Sequence, residues 1–118
     1  MEQGRDLGRA FLTAVAVLFV TAAAFHLAHI MRPAAGDPSG PVRHAVFVAI
    51  NLAVAAGLWL RPAALRIAFG VLVVQQITSH GAAAWSAWAD RHQIDLVSFA
   101  IVVLLPLTWA VLWRHGPR

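Results

Sequence analysis

Four long apolar stretches, separated by short polar breaks, set the pattern of the chain. The first covers residues 10–31, about 22 residues at about 1.5 Å each, enough to cross the hydrocarbon of a bilayer. It ends at Arg32-Pro33, because proline disfavours helix in the residue before it. The loop AAGDPSGP (34–41) follows, with Pro41 suited to the first turn of the next helix. A second stretch covers 42–60 and stops at Arg61-Pro62. The brevity of that turn predicts that spans two and three are antiparallel neighbours. The third runs over 64–88 and the polar ADRHQ turn (89–93) follows it. The fourth covers 94–113, with Pro106 expected to kink it. Trp85 and Trp88 close one stretch, and Trp109 and Trp113 the far end of another, as interfacial tryptophans do.

This pattern predicts an all-α integral membrane four-helix bundle of up-down-up-down topology, forming one domain over residues 1–118. Composition agrees. The chain is 60% hydrophobic and 12% charged, half the charge of an ordinary soluble domain, and too small to hide so much apolar surface without lipid. The N-terminus imitates a signal peptide, with Arg5 and Arg9 before an apolar run. That run continues through His26 to Met31, too long for a signal core, so it is expected to be a retained span.

Charge then orients the spans. Arg5, Arg9, Arg61, Arg66, Arg114 and Arg118 fall on one side, and Arg32, Arg43 and Arg91 on the other. The positive-inside rule places both termini in the cytoplasm of a cell with this protein in its inner (plasma) membrane. The arginines flank spans and form no basic stripe, so the net charge of +4 does not indicate nucleic acid. The absence of cysteine removes disulfides, thiolate ligands and iron–sulfur clusters.

The polar residues inside the stretches carry the candidate chemistry. Alternating helices bring His26, His29, His44, His80, His92 and Asp95 to one face, periplasmic or extracellular by the arginine rule, and His115 to the other. His26 and His29 share a helix face, His44 and Asn51 lie two turns apart, Gln76 and His80 one turn apart, and His92, Asp95 and Ser98 repeat at three. Polar side chains in a span turn away from lipid, towards a bundle interior or a wet cavity. Near mid-membrane, Asn51 and Gln76 are placed to hydrogen-bond to each other. Small residues Ala53 and Gly57, with Gly70 on span three, permit close helix packing.

Neutral imidazoles with a nearby carboxylate form a donor set for zinc, iron or copper. The expected ligands are His26, His29, His44 and His80. Asp95 is a fifth ligand, an orienting carboxylate or a catalytic base. His92 lies in a polar turn and is set aside. Such a site, if one position stays open, could activate water or dioxygen or polarise a lipid-soluble small molecule. Two rival readings use the same residues. A haem b held by two histidines would make an electron-transfer or quinone-interacting subunit. A purely structural polar network would make a non-catalytic accessory subunit, alone or as a homo-oligomer. Two methionines, of which only Met31 lies near the cluster, do not line a thioether path for Cu(I).

Overall fold

The structure is a computed structural model that describes residues 2–33 and 40–115. Among the described residues the fold is all-helical, with α1 (Glu2–Met31), α2 (Gly40–Leu60), α3 (Leu65–Arg91) and α4 (Leu96–His115). Each is long and apolar enough to cross a membrane. The chain divides into two compact units, Met1–Arg61 and Pro62–Arg118. α1 packs on α2 in the first, and α3 on α4 in the second. Most of the expected loop 34–41 lies outside the described residues.

In the first unit, the buried positions recur at three and four along each helix. Leu12, Val15, Ala16 and Ala23 line α1, while His44, Asn51, Ala55 and Leu58 line α2. This spacing is the seam of helices packed at a shallow angle. Alanines within it let two backbones approach closely, which matters where lipid gives helices no hydrophobic reason to associate. Asn51 sits in this seam and donates from Nδ2 to the Phe47 carbonyl at 2.8 Å. The expected partnership of Asn51 with Gln76 relates the two units; within its own unit each finds a local bond, Gln76 Nε2 donating to Gln75 Oε1 at 2.9 Å. Ala53, expected to aid packing, is exposed, and the seam runs through Asn51, Ala55 and Leu58 instead.

In the second unit, Phe69, Val73 and Ala87 of α3 are buried, as are Ser98, Leu105, Thr108 and Leu112 of α4. Gly70 thins α3 as expected. The Trp109 indole lies over it so closely that an added Cβ would meet three indole atoms at 3.1 Å. The indole Nε1–H donates to the Arg66 carbonyl at 2.8 Å. Beside it the Arg66 guanidinium stands 5.0 Å over the Trp113 ring. The contacts Arg66–Trp113, Gly70–Trp109 and His80–Ser98 fall in α4 as they rise in α3, so these two helices run antiparallel.

Helix ends differ from the sequence reading in instructive ways. α1 begins at Glu2 rather than near residue 10, because extending an existing helix gains one backbone bond for each residue fixed. α2 ends where expected: Arg61 turns left-handed (φ 51°) and its N–H closes on the Gly57 carbonyl at 2.7 Å, before Pro62. α3 continues past Trp88 through Arg91, and Ser86 donates to Asp90 at 2.7 Å within that added turn. His92 then adopts φ 52°, and the N–H groups of His92 and Gln93 close on the Trp88 and Ala87 carbonyls. Pro106 is accommodated inside α4, where it has no N–H to close on the Val102 carbonyl one turn back.

Outward-facing side chains are large and apolar. Val17, Leu18, Phe25, Val71, Val74, Phe99 and Val103 all leave more than half their surface exposed. Water would not tolerate contiguous apolar faces on every helix; lipid suits them. The chain has the build of a multi-pass membrane protein.

Candidate functional site

Histidine contacts occur in both units. In the first, the seam of α1 continues from Ala23 to His26, and the seam of α2 opens with buried His44. The two rings meet with Nδ1 facing Nδ1 at 2.9 Å. One nitrogen must carry the hydrogen and the other accept it, so only one of the pair holds the Nδ1–H form. Phe47, one turn along α2 from His44, stacks on His26 at 5.0 Å and 16°. The Arg43 guanidinium stands 5.7 Å from the Phe47 ring on its other contact.

His29 joins this group from the neighbouring strip of α1. Its ring centroid is 5.2 Å from that of His44 and 4.3 Å from that of Phe25. Its Nδ1 lies 3.0 Å from the Phe25 carbonyl. A carbonyl only accepts, so Nδ1 carries the hydrogen, and in a neutral ring the lone pair is then on Nε2. A backbone carbonyl holding the second nitrogen of an imidazole is the arrangement that usually orients a metal-binding histidine.

In the second unit, His80 Nδ1 lies 3.0 Å from the Ser98 hydroxyl of α4. Ser98 donates that hydroxyl to Asp95 Oδ2 at 2.7 Å and its backbone N–H to Asp95 Oδ1 at 3.0 Å. Asp95 is therefore the N-cap of α4, satisfying a backbone donor that the first turn leaves open. The Ser98 hydroxyl bond, joined by the backbone bond, holds the Asp95 carboxyl below the ordinary carboxylate range. That makes it a weaker base than a free aspartate and leaves it ionised at neutral pH.

The five predicted ligands thus fall into two groups: His26, His29 and His44 in the first unit, His80 and Asp95 in the second. His80 reaches Asp95 through Ser98. Among the described residues, no three histidine, aspartate or glutamate side chains already stand at metal-holding distances. His92, set aside on the sequence, caps α3 through its backbone and meets Trp88 edge-on at 5.9 Å. The sequence reading missed the roles of Phe47 and Ser98. For Ser98 the signal was present: Asp-x-x-Ser at the head of an apolar run is an N-cap pattern. Nothing in the sequence pairs Phe47 with His26.

Among the described residues the chain is all-helical, with four candidate membrane spans and a histidine contact in each compact unit. No protein-family model, curated protein or solved structure matches it.

Proposed function

We propose that the protein is a small membrane metalloprotein in which the first helix pair binds a transition metal through His26, His29 and His44. The observation that supports this most is the facing of two imidazole nitrogens at 2.9 Å. Two nitrogens bound to one zinc-like ion at about 2.0–2.1 Å in a tetrahedral shell stand about 3.3 Å apart. The rings would need to part by a few tenths of an ångström and rotate so that both lone pairs converge on the ion, with the Nδ1 hydrogen displaced. His29, its Nδ1–H tied to the Phe25 carbonyl, offers Nε2 as the third donor. Three neutral imidazoles suit zinc, iron or copper. Such an ion would supply Lewis-acid or redox chemistry to a lipid-soluble small molecule, with Phe47 and Phe25 as apolar walls.

In this reading the four spans form an up-down-up-down bundle in an inner (plasma) membrane, with both termini cytoplasmic and the histidines towards the outer face. The arginine distribution supports that orientation.

The test is elemental analysis of detergent-purified protein lacking a histidine tag, with an absorption spectrum of the same sample. About one equivalent of zinc, iron or copper is expected, lost in H26A and H44A. Unchanged metal content in both H26A and H44A, or no metal after reconstitution, overturns the proposal. A Soret band would return haem to first place.

A further inference from the structure

We propose that Ser98, anchored by Asp95, is a positioning residue that holds His80 in its Nδ1–H form and so presents Nε2 as an electron-pair donor. This goes beyond the first helix pair and does not depend on metal there. The hydrogen count carries it. A serine hydroxyl has one hydrogen and two lone pairs, and an ionised carboxylate can only accept. Ser98 gives its hydrogen to Asp95 Oδ2 at 2.7 Å. Its oxygen can then only accept from His80 Nδ1, 3.0 Å away. Had His80 carried its hydrogen on Nε2, two lone pairs would face each other across that distance.

The carboxylate cannot easily turn away to release the hydroxyl, because its other oxygen caps α4 by accepting the Ser98 N–H at 3.0 Å. Ser98 itself is buried, 3% exposed, so water does not compete for its oxygen. The chain therefore has a direction: His80 donates to Ser98, and Ser98 to Asp95. In a neutral imidazole this fixes which nitrogen keeps the lone pair before any partner arrives. An electron-pair acceptor, whether a metal ion or the hydroxyl of a lipid-soluble molecule, would meet a prepared Nε2. The two contacts of this kind, His26–His44 and His80–Ser98, join residues with the same separation of 18 in sequence. In the second unit a hydroxyl stands where the first has an imidazole.

The experiment is nitrogen-15 NMR of histidine-labelled full-length protein in micelles at about pH 8, where a free imidazole is neutral, with the His80 signals assigned by loss in H80A. Wild type is expected to show a protonated-type Nδ1 and an unprotonated-type Nε2, the favoured form in roughly tenfold excess, the strength of one good hydrogen bond. S98A should lose that excess and S98T, which keeps the hydroxyl, should retain it. D95A is the sharper variant. It leaves Ser98 in place but frees its hydrogen to point at His80, so the Nε2–H form should appear. A purely structural serine would not respond to that change. A wild-type His80 protonated at Nε2, or at both nitrogens, overturns the inference. So does a D95A spectrum with the wild-type pattern. The wild-type spectrum decides even if a variant fails to fold.

Discussion

Gly70 and Trp109 show how much one missing carbon can matter. Trp109 lies where an alanine Cβ at position 70 would stand 3.1 Å from three of its indole atoms, and its Nε1–H is committed to the Arg66 carbonyl. G70A should force the ring out, break that bond, and destabilise the second helix pair by about 1–3 kcal/mol. W109F keeps an aromatic ring but loses the donor and part of the indole over Gly70, and should cost about 1–3 kcal/mol. Unfolding by SDS titration in micelles measures both. A G70A protein as stable as wild type would mean that the indole is not held there. At this scale the sequence was partly legible. Helical spacing put His26 beside His29 and small Gly70 in a packing role, since both follow from turns of 3.6 residues. Which side chain fills the space above Gly70, and which hydroxyl meets His80, depends on the register between helices, and one sequence does not specify that.

Among elements, the helix starts and seams carry the energetics. Asp95 caps α4 through its carboxylate, and its carboxyl is held below the usual range by Ser98. The sign follows directly. A group with a depressed folded-state value stabilises the fold above its unfolded value, and this contribution disappears as pH falls through the folded one. D95A should therefore lower the thermal midpoint at pH 7. The gap to wild type should shrink as the solution is acidified below about pH 4, near the ordinary aspartate value. A gap that does not change with pH would mean that the carboxylate charge is irrelevant to the cap.

The seams offer a second comparison. Leu12 is 1% exposed and Leu18 is 54% exposed on the same helix. L12A should cost about 2–5 kcal/mol by leaving a cavity. L18A should cost far less, because lipid fills the space. Equal losses would place Leu18 in a protein contact. The sequence supplied the helices through their apolar stretches and several of their ends through proline and polar turns. It placed the start of α1 late, because the Arg-containing lead has no apolar stripe, yet helix propagates into it from the span.

For the molecule as a whole, apolar exposure on every helix makes the bilayer the natural solvent, and the distribution of arginine makes a topology claim that can be checked cleanly. The chain has no cysteine, so each cysteine introduced is unique. Single cysteines at Gln3 and Ala63 should react with a membrane-impermeant maleimide only after the cytoplasmic side is opened, and one at Gln93 should react in intact cells. Labelling of all three from one side would overturn the up-down-up-down arrangement.

The pairing of α1 with α2, and of α3 with α4, has a consequence for synthesis. Every contact described within the first unit is complete once its 61 residues have left the ribosome. Domains made N-terminal first can fold as they emerge, so insertion can proceed one helical hairpin at a time. Asn51 and His44 find partners within their own hairpin and need not wait in lipid with bare polar groups for the second to arrive. A ribosome stalled after the first hairpin should already hold a protease-resistant membrane fragment.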